Sequence, residues 1–223
     1  MDDCVAVEHV SKTYRLGKID VRALDDVSIG VAAGEFVAIA GPSGSGKTTL
    51  LNLIGGLDTP TSGEIRLDGE AVSALSAGAR ADLRARKLGF IFQTFNLLPV
   101  LTAWENVEYP LLIHHRGTGD RRTRVSAALT QVGLADRAHH RPPELSGGQQ
   151  QRVAIARALV GEPTLVLADE PTANLDSATG RDIVDLMRRL NRERGVTFVF
   201  STHDARIMSA ADRVVEISDG RLR

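Results

Sequence analysis

Eight consecutive residues, Gly41-Pro42-Ser43-Gly44-Ser45-Gly46-Lys47-Thr48, set glycines, a lysine and a hydroxyl in the spacing that grips a phosphate chain. Glycines let the backbone curl until several N–H groups point inward, and a helix starting there would add its positive N-terminal end. Lys47 would reach the β- and γ-phosphates of a nucleotide, and Thr48 would meet a divalent cation through its hydroxyl. Such a cation prefers oxygen ligands, so an acidic partner must come from elsewhere in the chain. The stretch Thr164-Leu165-Val166-Leu167-Ala168-Asp169-Glu170 offers one. An apolar strand would hold Asp169 rigidly at its end, facing the metal directly or through water. Glu170, one residue later, would polarise an attacking water.

A second anion-seeking element follows from Leu145-Ser146-Gly147-Gly148-Gln149, which runs into the helical pattern Gln150 to Leu159. Ser146 and Gln149 have the spacing of a capping box, so a helix should begin at this point. Gly147 and Gly148 carry no side chains just where exposed N–H groups and the helix dipole could meet an anion. One chain thus holds two helix starts suited to phosphate.

The elements that must position these residues are legible as patterns. The run Glu35 to Ala40 is short, partly β-branched and closed by Gly41-Pro42, as a buried strand feeding the glycine loop would be, and Thr49 to Ile54 reads as helix. Apolar runs recur at Leu88 to Phe92, Thr164 to Ala168, Val196 to Phe200 and Arg213 to Ile217. Their lack of alternation predicts strands covered on both faces, hence an α/β fold with a mostly parallel core sheet. Val5 to Tyr14, Ala23 to Val31 and Gly63 to Leu67 read as antiparallel strands flanking that core. From about Thr102 to Val160 the pattern is mainly helical, with Val125, Ala128, Leu129 and Val132 along one face, and Arg141-Pro142-Pro143 reads as a stiff connector.

With Leu-Ser-Gly-Gly-Gln about a hundred residues after the glycine loop and just before an acidic strand end, the chain resembles an ATP-binding-cassette (ABC) ATPase. The resemblance covers essentially all of it, and implies one cassette over residues 1–223, with a helical subdomain over about 100–160 carrying the signature. Tyr14 resembles the residue that stacks on adenine, Gln93 the Q-loop glutamine, Asp176 the D-loop aspartate and His203 the switch histidine. What this implies is a P-loop NTPase fold that uses ATP and Mg²⁺. ATP would be held by Tyr14, by Gly41, Pro42, Ser43, Gly44, Ser45, Gly46, Lys47, Thr48 and Thr49, and by Gln93, Ser146, Gly147, Gly148, Gln149 and Asp176. Mg²⁺ would be held by Thr48, Gln93 and Asp169, and hydrolysis carried by Glu170, His203 and Lys47. Members of the family pair head to tail, so the signature of one copy would close on the γ-phosphate held by another.

Phe90 to Pro99 and Leu101 to Val107 resemble one branch, that of the macrolide-exporter, lipoprotein-release and FtsE-like cell-division ATPases, whose partners are separately encoded permeases or FtsX-like membrane proteins. Transport and purely regulatory coupling to such a partner use the same cassette residues, so the sequence leaves both open. Phe95, Leu98, Pro99 and Trp104 either line the groove for that partner or belong to the core. Ser201 departs from the branch, standing where relatives carry an apolar strand residue; the expected consequence is a small change of packing that does not reach His203.

Bulk properties agree with this picture and exclude others. A net charge of −1 over 223 residues gives no general attraction to nucleic acid. No stretch reaches the roughly 18 apolar residues that span a bilayer, and the first residues do not resemble a signal peptide. The expected location is the cytoplasmic face of the inner membrane, reached through a partner. The single cysteine, Cys4, cannot form an internal disulfide and is expected beside a flexible N-terminus.

Overall fold

A computed structural model describes residues 3–113 and 118–223. The chain opens with a long antiparallel hairpin, β1 (Asp3–Leu16) and β2 (Ile19–Ala32), in which Tyr14 faces Val21. Strand β3 (Phe36–Ala40) then enters the centre of the molecule and delivers the glycine loop to helix α1 (Lys47–Ile54). Strand β4 (Ser62–Leu67) returns to pair antiparallel with β1, and the short β5 (Glu70–Ala71) completes a sheet of order β2-β1-β4-β5.

The second sheet is the parallel core. After α2 (Ala77–Lys87) come β6 (Leu88–Ile91), β7 (Leu165–Asp169), β8 (Thr197–Thr202), β9 (Arg213–Ser218) and an antiparallel edge strand, β10 (Arg221–Leu222). Its order is β10-β9-β3-β8-β7-β6, which places β3 and β7, the two strands that end in functional loops, on either side of β8. Between β6 and β7 lie α3 (Ala103–Ile113), α4 (Thr118–Gln131) and α5 (Gly147–Leu159). Helices α6 (Ser177–Arg194) and α7 (Ala205–Met208) connect β7, β8 and β9.

Strand residues point alternately to opposite faces, and here each face meets its own apolar cluster. Phe36, Ala38, Val166, Ala168, Phe198 and Phe200 join the helices α3 to α6 on one side. Val37, Ile39, Leu165, Leu167 and Val199 join α1 and the antiparallel sheet on the other. This two-sided burial explains the unbroken apolar runs in the sequence. The expectation fails at β9, where Arg213, Val214 and Glu216 are exposed because that strand lies near the sheet edge.

Other boundaries need correction. Helix α1 starts at Lys47 rather than Thr49, so lysine and threonine sit in the first turn, nearest the helix dipole. The Pro142–Glu144 segment is a 3₁₀ turn rather than a plain connector, with proline at its start where a missing N–H costs nothing. Val125, Ala128, Leu129 and Val132 are all buried, as their spacing predicts. Cys4 is buried within β1, and burial pushes its thiol up to about 11; the N-terminal residues expected to be flexible beside it lie outside the described residues.

Candidate nucleotide site

At the end of β3 the backbone turns sharply under Ile217 of β9. A side chain at Gly41 would put its Cβ 2.2 Å from the Ile217 carbonyl oxygen, so glycine is required there. Gly46 caps α1 in the left-handed region at φ 108, without any side-chain cap, and its Cβ would lie 2.6 Å from the Ala23 carbonyl. An uncapped helix start leaves its first N–H groups without intrahelical acceptors. Ser45 Oγ is buried within the same loop and has no protein partner. The Lys47 side chain is only 6% exposed, and its ammonium donates to the carbonyls of Gly41 (2.8 Å) and Pro42 (2.9 Å). These are the features of a cradle for a polyphosphate: inward N–H groups, an unused hydroxyl and a confined cation.

A cleft of about 270 Å³ opens over this loop, lined by Ser43, Gly44, Gly46, Lys47, Thr48, Thr49, Gln93, Asp169 and Glu170 among others. The Thr48 hydroxyl stands 3.0 and 3.1 Å from the two carboxylate oxygens of Asp169. This oxygen pair, with the Gln93 amide nearby, suits a hard cation that takes its remaining ligands from phosphate and water. Among the described residues no cluster of three or more His, Cys, Asp or Glu could hold a metal by itself.

Glu170 occupies the left-handed region at φ 44 where the chain leaves β7. Its Oε1 lies 4.0 Å from the Lys47 ammonium, and its Oε2 accepts from His203 Nδ1 at 3.0 Å. The imidazole is largely exposed, with the side chain 65% accessible. Glu170 and His203 also line a small adjoining cleft with Ala173, Leu175 and Asp204, so the carboxylate stands between two openings. Gly41 and Pro42 meet His203 again along a third cleft.

Six expected residues do not line the cleft over the phosphate loop. Residues 146–149 do not line the loop's cleft; Ser146 and Gln149 form the predicted capping box, with Ser146 N–H donating to Gln149 Oε1 at 2.9 Å and Gln149 N–H to Ser146 Oγ at 3.3 Å. Asp176 caps α6 through the N–H groups of Ala178 (3.0 Å) and Thr179 (3.1 Å), and the hydroxyl and N–H of Thr179 hold its carboxyl below the usual range. Tyr14 lies at the edge of the site, its hydroxyl donating to Asp58 Oδ2 at 2.8 Å with the Lys12 ammonium 4.8 Å over its ring. Burial and then the Asp58 bond push the Tyr14 hydroxyl's pKa up, with Thr49 acting against them. Burial of Asp58 is outweighed by Lys12, the Thr59 N–H and Tyr14, which keep its carboxyl low.

Several supporting residues carry no local sequence signal. Arg157 of α5 donates to the carbonyls of Asn96 (2.5 Å) and Phe95 (2.8 Å), pinning two successive left-handed residues beyond Gln93. Asn174 Nδ2 donates to the Gln93 carbonyl at 2.9 Å, joining the segment after β7 to the segment after β6. Ser201, expected to matter only for packing, bonds to both Asp169 and Glu170.

Glycine loop, acidic strand end, paired carboxylate and histidine, and a separately capped signature helix define an ATP-binding cassette. The ABC transporter family model matches residues 24–173, and the chain belongs to that family as an ATPase cassette. It is 52% identical over 220 residues to the macrolide export ATP-binding/permease protein MacB of Syntrophobacter fumaroxidans, covering 98% of this chain but 31% of that protein. It therefore spans about a third of that relative. An uncharacterized ABC transporter ATP-binding protein of Thermotoga maritima is 51% identical over 213 residues, covering 96% of this chain and 91% of the relative. The ATP-binding cassette MJ0796, solved as a dimer in a post-hydrolysis state with ADP and Pi, matches with 46% identity and a TM-score of 0.90 over 98% of this chain and 96% of that one. A second dimeric structure of MJ0796 matches with a TM-score of 0.91.

Proposed function

We propose that the chain powers a separately encoded membrane partner by closing on a second copy of itself around two ATP molecules. One observation carries the reading: the signature residues Ser146 to Gln149 sit outside the cleft built by the P-loop of the same chain. A partner copy is the natural source of the missing wall, and the dimeric MJ0796 cassettes with ADP and Pi support it. Residues 1–223 act in this reading as one cassette, with about 100–160 as the part that relays closure.

In the hydrolytic step, Glu170 orients water and takes its proton while His203, bonded to the other carboxylate oxygen, fixes its direction. Lys47, released from the Gly41 and Pro42 carbonyls, would stabilise charge developing on the transferred phosphoryl group. Thr48, Asp169 and Gln93 are the residues that would hold Mg²⁺, which supplies charge neutralisation at the phosphates. Tyr14 offers a ring face to the base, and because a π-face does not read base edges, discrimination between ATP and GTP should be modest.

Partner binding is supported by an apolar surface after Gln93. Leu98 (42% exposed) and Val100 (73%) precede α3, whose own Leu112 (46%) and Ile113 (58%) are also exposed. Trp104, by contrast, packs partly against the core. No helix among the described residues is long and apolar enough to cross a membrane, so the association proposed is peripheral, on the cytoplasmic face, with a permease or FtsX-like protein and not with nucleic acid.

Glu170→Gln tests the central claim. It should retain ATP affinity, lose hydrolysis by about two orders of magnitude or more, and accumulate as a dimer with ATP in light-scattering chromatography. A monomer at saturating ATP would sink the model.

A further inference from the structure

We propose that Ser201 is a positioning residue of the ATPase site, its buried hydroxyl aiming Asp169 and Glu170 as one unit. The proposal rests on the roles given to those two carboxylates above. Ser201 is fully buried in β8, the strand flanked by β3 and β7, and it is the cross-strand neighbour of Asp169 in the parallel ladder. Alternation puts both side chains on the face covered by α1, where Thr48 stands, because Leu165, Leu167 and Val199 of the same strands join that cluster.

A hydroxyl in such surroundings costs stability unless its hydrogen-bonding capacity is used. Both halves are used on the site: Ser201 Oγ donates to Asp169 Oδ1 at 2.6 Å and accepts from the Glu170 N–H at 3.0 Å. The Asp169 oxygen engaged is also the one 3.0 Å from the Thr48 hydroxyl, so the carboxylate is fixed from the strand side and the helix side together. Rotation of Asp169 away from the proposed metal position would break both bonds.

The second bond acts on the backbone. Glu170 is a non-glycine residue in the left-handed region, a conformation that needs support from its surroundings. Ser201 provides an acceptor for the N–H at that very turn. Two residues further along the same chain, His203 bonds the Glu170 carboxylate at 3.0 Å. The end of β8 therefore grips Glu170 twice, at its backbone through Ser201 and at its side chain through His203. An apolar residue at 201 would fill the space and make neither bond.

The test compares wild type, Ser201→Ala, Ser201→Thr and Glu170→Gln in the full chain. Ser201→Ala should lower kcat about tenfold, as loss of an outer partner of a metal ligand commonly does, with KM for ATP within about twofold because the P-loop contacts are intact. Independently of turnover, equilibrium binding of a fluorescent ATP analogue without metal should be unchanged, while the Mn²⁺ concentration for half-maximal Mn²⁺·nucleotide binding, read by electron paramagnetic resonance, should rise severalfold. Ser201→Thr, which restores a hydroxyl, should recover most of both losses. Should the alanine variant fail to fold, Ser201→Cys keeps the volume, weakens both bonds, and should show the same selective loss. Wild-type kcat and wild-type Mn²⁺ binding in Ser201→Ala would overturn the proposal, as would a Ser201→Thr variant as impaired as Ser201→Ala. If Glu170→Gln hydrolyses ATP normally, the underlying assignment falls; if it is inactive while Ser201→Ala is normal, only the role of Ser201 does.

Discussion

Helices α1 and α5 both begin in glycine-rich sequence, yet their first turns are built oppositely. Helix α1 starts at Gly46 with no side-chain cap, its loop held open by backbone shape, with the Ser45 hydroxyl buried and without a protein partner. Helix α5 starts with its own needs partly met, since Ser146 and Gln149 exchange hydrogen bonds and only Gly147 and Gly148 are left to offer N–H groups outward. The first start has groups left over to receive an anion in its own right, the role proposed for it. The second is a locally capped, pre-shaped surface, and in the function proposed above it is the wall supplied to another copy.

The hardest way to break this contrast is to alter the shape of the open start. Gly46→Ala should destabilise the fold by about 2–3 kcal/mol through left-handed strain, with further cost from the clash at the Ala23 carbonyl, and should abolish ATP binding; calorimetric melting and titration would show both. Lys47→Ala keeps the loop's glycines but removes its ammonium, and should weaken ATP binding by the isolated chain roughly tenfold or more, the worth of a charged hydrogen-bond donor. Equal ATP affinity in the variant would remove Lys47 from the phosphate site.

At the capped start the expectation reverses. Ser146→Ala should leave ATP affinity of the monomer unchanged and cost about 1 kcal/mol of stability from the lost cap, with slower hydrolysis because the closed site loses a wall. Weakened ATP binding by the monomer would mean that the signature already serves its own chain's cleft. The smallest effect belongs to a third helix start, that of α6, where a carboxylate is the cap. Thr179 hydrogen bonds hold the Asp176 carboxyl below its ordinary value of 3.8, so its contribution to stability is present above that pH and is lost as pH falls through the lower folded value. Asp176→Asn should flatten that segment of the acid melting curve with little change near neutrality.

The contrast also shows where sequence reading succeeded. The P-loop, the acidic end of β7 and the capping box of α5 are contiguous in sequence, and each is specified by residue types that make only one local geometry comfortable. Ser201 could not be read in this way. Its significance depends on β8 lying beside β7 in one register, so that residue 201 faces residue 169. The same holds for Asp58, which accepts from both Lys12 and Tyr14 of β1 across a distance in sequence, and for Arg157, which reaches back to Phe95 and Asn96. Short elements such as β5, β10 and α7 escaped because two to four residues carry too little periodicity to register.

Residue types and spacing alone were enough to propose the chemistry: a phosphate loop, an oxygen pair suited to a metal, a carboxylate beside it and a second helix start suited to an anion. Those choices rest on local backbone freedom, hydrogen-bonding groups and charge, all encoded within a few residues. The grip of Ser201 and His203 on Glu170 from one strand end, and the position of the signature outside its own chain's cleft, came from the three-dimensional arrangement. Both are matters of strand order and register, set by which apolar faces bury each other across the whole chain.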